Sequence, residues 1–341
     1  MRCIETPASP GRNVPHTLTH SSRPAYDQQS LKLRIRHETL YSYSRRVRFG
    51  PHRLVLRPRE GHDLRVESMD VQVSPSAHLT WTRDVFGNSI GTLDFFEPAK
   101  VLRIVSNALI TRTPPYAHRL HDSGTTPWPP VYEPLEIAVI AAYQQLSYPV
   151  DGATVTRWLG QHSPKRPKDV EGVVRGLNHS IHKSIRYVRR QEKGVLTPAQ
   201  TIKRGVGSCR DFATLLLDAA RSLGIAARFA SGYVECTAAE AGYASTHAWV
   251  EIYLPGHGWR GYDPTLGTET TSAHVACGLS THPRGVMPVT GSYYGPASVF
   301  REMKVAVQLT AEPSLPPPPL VAAAAHSLTA RRKSAAASQR S

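Results

Sequence analysis

Residues 205–225 read GVGSCRDFATLLLDAARSLGI and combine a glycine-rich turn with an amphipathic helix pattern. The apolar residues that recur at helical spacing are Phe212, Leu215, Leu216, Ala219 and Leu223. Charged residues lie between them, so one face of the helix is apolar and the other is polar. Gly224 follows at once and is typical of a helix end. The stretch therefore predicts a helix that packs its apolar face on a core.

The start of this helix is suited to an anionic side chain. Ser208 is well placed as the N-cap, and Asp211 three residues later completes a capping-box pattern. Cys209 then falls in the first turn, where free backbone N–H groups and the helix dipole favour a thiolate. Its own N–H is a natural donor to an oxyanion, and Gly205 and Gly207 allow a substrate to approach the backbone closely. The alternative is a buried structural cysteine, which is where free cysteines usually lie.

Two strand patterns downstream carry the partners that a nucleophilic cysteine needs. Polar and apolar residues alternate through 246–254, as in a half-buried strand, with His247 near its start. Residues 259–263 form a second strand pattern that ends at Asp263. The turn between the two predicts an antiparallel pair.

The register of this pair decides whether the imidazole and the carboxylate share a face. A four-residue loop that pairs Leu254 with Trp259 would place Asp263 on the wrong face. We therefore expect the register that pairs His247 with Asp263 and centres the turn on Pro255, or a bulge with the same effect.

A thiol, an imidazole and a carboxylate in this order suggest a nucleophilic cysteine triad of Cys209, His247 and Asp263. Taken singly, His247 could be a strand histidine without a role, and Asp263 a turn aspartate before Pro264. Their occurrence together, after the capped cysteine, favours the catalytic interpretation.

Three motifs resemble those of the transglutaminase-like superfamily. Residues 197–233 read TPAQTIKRGVGSCRDFATLLLDAARSLGIAARFASGY, and residues 247–265 read HAWVEIYLPGHGWRGYDPT. The stretch LRIRHETLYSYSRRVRFGPHRLVLRPR at 33–59 resembles the β-rich N-terminal region that precedes this core in bacterial relatives. The resemblance implies a papain-like triad with Cys209 as nucleophile, His247 as base and Asp263 as the residue that orients the base. The superfamily includes transglutaminases, cysteine proteases, peptide N-glycanases and inactive binding relatives, so the resemblance implies a mechanism more sharply than a substrate.

The resemblance and the hydrophobic pattern together predict an α+β protein, with an N-terminal antiparallel β domain followed by a papain-like transglutaminase core of helices packed on an antiparallel sheet. Strand patterns lie at 31–43, 52–58, 64–74, 78–84, 90–96 and 100–113, and helical patterns at 135–147, 153–162 and 168–184. The predicted organisation is a disordered extension at 1–30, the β-rich domain at 31–113, a proline-rich linker at 114–134, the catalytic core with a C-terminal strand extension at 135–311, and a disordered tail at 312–341.

Composition narrows the function classes. The chain has 341 residues and a formal net charge of +15, but no nucleic-acid-binding motif accompanies the charge, so we do not expect nucleic acid as a partner. We expect no membrane span and no secretory signal, and the four widely spaced cysteines fit a reducing cytoplasm. The histidines form no metal-binding motif, so no metal or other cofactor is expected.

The expected activity is acyl transfer on amide bonds through a thioester, with a protein or peptide as substrate. Hydrolysis of peptide or isopeptide amides is slightly favoured over transglutamination. A non-catalytic protein-binding module on the same fold is the alternative from another class, and nucleic-acid binding through the basic surface is a third. The oligomeric state is not indicated by the sequence.

Overall fold

The computed structural model describes residues 30–113, 125–190, 194–235 and 243–312, with the backbone alone for 243–245. The predicted disordered extension and tail lie outside these residues, except for Ser30 and Glu312, and so does the first half of the predicted linker. The elements occur in the order β1 Leu31–Leu54, β2 Leu64–Ser74, β3 Ala77–Arg83, β4 Ser89–Phe95, β5 Ala99–Arg112, α1 Ile137–Gln144, α2 Gly152–His162, α3 Val170–Ser184, β6 Arg186–Tyr187, α4 Pro198–Arg204, β7 Val206–Gly207, α5 Cys209–Ser222, β8 Ala227–Glu235, β9 Tyr243–Leu254, β10 Gly258–Asp263, β11 Thr268–Glu269, β12 His274–Ser280, β13 Val289–Tyr294 and β14 Phe300–Ala311.

The N-terminal strands form the expected antiparallel β region, but the first two predicted strands are one. β1 runs without interruption for 24 residues, because different partners take over along its length. Its first half pairs with β5 and β14, and its second half pairs with β4 and β13. Register shifts after Ser42 and Phe49 mark the changeover, and they allow the strand to pass Gly50 and Pro51 without ending.

The helices pack around α5, which is the predicted amphipathic helix. Its apolar residues Phe212, Leu215 and Leu216 are almost fully inaccessible to solvent. They share one buried cluster with residues of α2, α3 and the apolar face of β9. The stability of α5 therefore comes from packing on every side rather than from helix propensity alone. Among the described residues, no helix has the length and apolar character that a membrane span requires.

The core sheet is antiparallel, with strand order β12-β8-β9-β10-β11. It continues into the N-terminal strands through β14, which pairs with β9 at Ala244 and with β1 along most of its length. The sequence predicted a C-terminal strand extension of the catalytic core. The structure shows that β14 joins the core sheet to the N-terminal strands.

Candidate active site

The first turn of α5 is held by a buried carboxylate. Asp211 Oδ2 accepts hydrogen bonds from the backbone N–H and the hydroxyl of Ser208, both at 2.8 Å. Ser208 is the N-cap of α5, as the capping-box pattern predicted. The cap fixes the position of Cys209, the first residue of the helix, which is 9% exposed. The thiol therefore lies at the helix end where backbone N–H groups are free to face an anion.

The same carboxylate ties this helix to the segment before α4. Arg190 Nε donates to Asp211 Oδ2 at 2.7 Å, and the Leu196 backbone N–H donates to Asp211 Oδ1 at 2.7 Å. Both side chains of the ion pair are almost wholly buried. A buried ion pair with several further hydrogen bonds is costly to break from one side, so this cluster holds the nucleophile-bearing turn in one geometry.

His247 and Asp263 are in direct contact. His247 Nε2 lies 2.7 Å from Asp263 Oδ2. The other carboxylate oxygen, Oδ1, accepts the backbone N–H groups of Thr265 at 2.8 Å and Leu266 at 3.3 Å. The turn after β10 therefore orients the carboxylate, and the carboxylate orients the imidazole.

The imidazole also interacts with the thiol of Cys209, as the pKa of His247 indicates. Burial acts to lower the pKa of His247, but hydrogen bonds to Asp263 and Cys209 outweigh it and raise the pKa to about 10. Because Asp263 occupies Nε2, the other ring nitrogen, Nδ1, is the one left for the thiol. Burial likewise acts to raise the pKa of Asp263, but hydrogen bonds from His247 and His274 lower it below its usual value. These directions favour an ionised Asp263 carboxylate hydrogen-bonded to a His247 imidazolium.

The expected register of the β9–β10 pair is wrong by two positions. The expectation that His247 and Asp263 lie on the same face of the sheet is nevertheless right. Leu254 pairs with Gly258 and Val250 with Tyr262, which centres the turn on Gly256 rather than Pro255. Continuing the ladder would put Asp263 opposite Trp249 instead of His247. A shift of two preserves the face of every side chain, so Asp263 still lies on the His247 side of the sheet.

The body of α5 does not pack on the face of the sheet that carries His247 and Asp263. The buried cluster of α5 contains Ala248, Val250 and Ile252, which alternate with His247 and Trp249 along β9. Cys209, at the start of the helix, makes the contact to His247. The site therefore forms where α5 begins, next to the face of β9 that carries His247.

The two tryptophans that lie beside the pair in the sequence make packing contacts. Trp249 is 2% exposed and lies in a small buried cluster with Ala230 and Leu279. Trp259 packs against Tyr253, and the guanidinium of Arg228 lies 3.9 Å above its ring. Cys277 is also buried, whereas Cys3 and Cys236 lie outside the described residues.

His274 is the site residue that the sequence did not indicate. It is the first residue of β12 and is 5% exposed, and its Nε2 lies 3.1 Å from Asp263 Oδ2. The same carboxylate oxygen therefore contacts two histidines. No motif spacing points to residue 274. The only available indication of a further site residue was that a buried aspartate requires more than one hydrogen-bond donor.

The three side chains His247, Asp263 and His274 bring their potential metal-ligand atoms within 4.8 Å of one another. The hydrogen bonds of His274 do not fit a metal ligand, however. Its Nδ1 accepts the Thr271 backbone N–H at 3.1 Å, so the ring proton of the neutral form is on Nε2. A protonated Nε2 donates to Asp263 and cannot bind a cation. The cluster is therefore a hydrogen-bond network.

Gly232 allows β12 to reach this network. It lies opposite His247 on β8, and a Cβ there would overlap the carbonyl oxygen of Val275 and lie 2.9 Å from its carbon. The absent side chain lets the β12 backbone fold closely over β8 directly after His274.

We expect Gly232→Ala to lower the free energy of unfolding by about 1–3 kcal/mol, because the backbone of β12 must move to admit the methyl group. The measurement is denaturant-induced unfolding monitored by circular dichroism. Gly160→Ala in α2 is the matched control, since a Cβ there meets nothing within 4 Å and alanine is the better helix former. Equal stability of the two variants would show that β12 does not approach Gly232 as described.

Comparison with known proteins agrees with this architecture. Residues 33–111 match the model of the bacterial transglutaminase-like N-terminal region, and residues 160–264 match that of the transglutaminase-like superfamily. The two segments together span more than half of the chain, in the expected order. The chain is a member of the transglutaminase-like superfamily.

Relatives and a solved structure extend the likeness over most of this superfamily member. An uncharacterized protein of Mycobacterium tuberculosis is 26% identical over 291 residues, covering 77% of this chain and 88% of that protein. One from Mycobacterium leprae is 32% identical over 108 residues, covering 30% of this chain and 37% of that protein. The crystal structure of a proposed cysteine protease from Cytophaga hutchinsonii superposes with a TM-score of 0.65 at 16% identity, covering 83% of this chain and 98% of that one. The core is thus of the papain-like transglutaminase type, as the sequence predicted.

Proposed function

We propose that this protein catalyses cysteine-dependent acyl transfer on amide bonds of a protein or peptide, through a thioester on Cys209. The observation that carries the proposal is the 2.7 Å hydrogen bond between His247 and Asp263, beside a Cys209 thiol whose interaction with the imidazole helps to raise the pKa of His247. Nucleophile, base and orienting carboxylate in hydrogen-bond sequence are what nucleophilic catalysis requires.

The reaction follows from the proton positions. The Cys209 thiolate attacks the amide carbonyl carbon, and the Cys209 backbone N–H helps to hold the oxyanion. The His247 imidazolium gives its proton to the leaving nitrogen as the C–N bond breaks, which releases an amine or ammonia and leaves a thioester. Water or an amine then attacks the thioester while His247 takes a proton from it, and Cys209 leaves as the thiolate, which restores the starting ion pair. Asp263 keeps the imidazole oriented and stabilises its charged form throughout.

Hydrolysis of peptide or isopeptide amides is the reaction that we favour, with transglutamination as the variant in which an amine resolves the thioester. The difference lies in which nucleophile reaches the thioester. Incubating the full chain with a glutamine-containing peptide and an excess of a primary amine distinguishes them by mass spectrometry. A free acid or cleaved peptide indicates hydrolysis, and an amine adduct indicates transfer. If neither forms, and a thiol-reactive amide mimic leaves Cys209 unlabelled, the protein is a binding module on this fold.

We expect Cys209 to be alkylated rapidly even at about pH 6, well below the pKa of about 8.5 of a free thiol, because the His247 imidazolium stabilises the thiolate. Iodoacetamide labelling with mass mapping measures the rate, and His247→Ala is expected to abolish the advantage. Alkylation of Cys209 no faster than that of a free thiol at low pH would contradict the ion pair.

Turnover of the substrate should fall as the pH rises through about 10, where His247 loses the proton that the leaving amine needs.

A further inference from the structure

The second histidine on Asp263 is placed by a dedicated turn. The His274 backbone N–H donates to the Thr271 carbonyl at 3.1 Å, and His274 Nδ1 accepts the Thr271 N–H at 3.1 Å. The turn and the ring therefore hold each other in one orientation. That orientation aims Nε2 at the buried carboxylate rather than at solvent.

The N-terminal β region anchors the same turn. Arg112, at the end of β5, donates to the carbonyl of His274 at 2.9 Å and to the carbonyl of Ser272. Its guanidinium is mostly buried and also lies 3.7 Å from Asp63. A side chain from the first region thus supports the residue that contacts Asp263 in the core.

The acceptor role of Nδ1 decides which proton His274 offers. An atom that accepts a backbone N–H carries no proton, so the neutral ring carries its proton on Nε2 and donates it to Asp263 Oδ2. Asp263 Oδ1 is fixed by the turn after β10, and Oδ2 is fixed by His274. With both oxygens anchored, the carboxylate plane cannot rotate away from His247.

We propose that His274 is a positioning residue of the active site, which acts as a neutral Nε2–H donor that holds Asp263 in the orientation that His247 needs. The inference rests on the proposed function and adds a fourth residue to it. The two ring nitrogens of His274 bond to the Thr271 N–H and to Asp263, so His274 acts through Asp263 rather than on the reacting atoms. The charged and titratable groups that meet at this point are Cys209 from α5, His247 from β9, Asp263 from β10 and Arg112 from β5.

Two substitutions separate a positioning role from a structural one. His274→Gln can place an amide N–H near the Nε2 position, toward Asp263. His274→Asn can place an amide oxygen near the Nδ1 position, toward Thr271, but is too short to reach Asp263. The positioning role predicts that the glutamine variant is the better enzyme, whereas a merely structural role in the turn predicts that the asparagine variant is.

We expect His274→Asn to lower kcat for hydrolysis of 4-nitrophenyl acetate by about tenfold with little change in KM, which is the effect of losing one hydrogen bond to a charged group. Alkylation of Cys209 by iodoacetamide at about pH 6 should slow by a similar factor, because a loosened carboxylate stabilises the imidazolium less. His274→Gln should stay within about threefold of wild type in both assays. His282→Asn is the matched control, since His282 Nδ1 also accepts a backbone N–H, from Arg284, without contacting Asp263.

The tautomer provides a readout independent of activity. Nitrogen-15 NMR of histidine-labelled protein should show His274 neutral, with the proton on Nε2. A proton on Nδ1 overturns the inference, and so does a folded His274→Asn protein with wild-type rates or one that outperforms His274→Gln. Slow alkylation of Cys209 in the wild-type protein would instead overturn the proposed function, so the two failures are distinguishable.

Discussion

Cys209→Ala and His247→Ala are each expected to lower amide turnover by at least about 10⁴-fold, because they remove the nucleophile and the base of the proposed triad. Cys277, the other free cysteine among the described residues, is buried beside Tyr233, and burial raises the pKa of its thiol far above the usual value. Asp263→Ala should retain a rate about 100-fold higher than His247→Ala, since an imidazole without its orienting carboxylate still accepts a proton.

Turnover of a peptide amide by purified full-length variants measures these differences, with circular dichroism as the check on folding. Cys277→Ala is the matched control for the nucleophile, because it removes a buried thiol that lies outside the Cys209–His247 contact. Full activity in a folded His247→Ala protein would refute the assignment of the base.

The second large effect concerns stability. Asp211→Ala is expected to lower the free energy of unfolding by about 3–5 kcal/mol, because it leaves the buried charge of Arg190 without this carboxylate. It also removes the acceptor of the buried Leu196 and Ser208 backbone N–H groups. Urea unfolding measures the loss. The exposed Asp94→Ala is the control and should change stability by no more than about 0.5 kcal/mol. Equal effects of the two substitutions would show that the cluster does not hold the turn.

The meeting of Cys209, His247 and Asp263 could be anticipated because each residue lies in a strong local pattern. Helix periodicity, an N-cap and strand alternation are properties of neighbouring residues and can be read from the chain directly. The register between β9 and β10 could not be read in this way, because the same loop residues allow a turn centred on Pro255 or on Gly256. The catalytic roles of Cys209, His247 and Asp263 remain a prediction.

The supports of the site depend on contacts between distant residues. Arg190 reaches Asp211 across 21 positions, and Arg112 reaches the His274 carbonyl across 162. Nothing local marks either arginine among the many in this chain. α4 was missed for a different reason, since its signal was present. Thr197, Pro198 and Gln200 form a capping box with proline in the first turn.

The long antiparallel pair of β1 and β14 has a consequence for the way that the molecule is made on the ribosome. Arg34 on β1 and Glu312, which are joined by an ion pair, are 278 positions apart. At translation rates of about 5–20 residues per second, the β1 edge waits for roughly 15–55 seconds before its partner emerges. Throughout this interval it is an open template for pairing with another nascent chain. Lys32, Arg34 and Arg36, which carry part of the excess positive charge, lie on that strand, and like charges on two copies of it would disfavour their pairing.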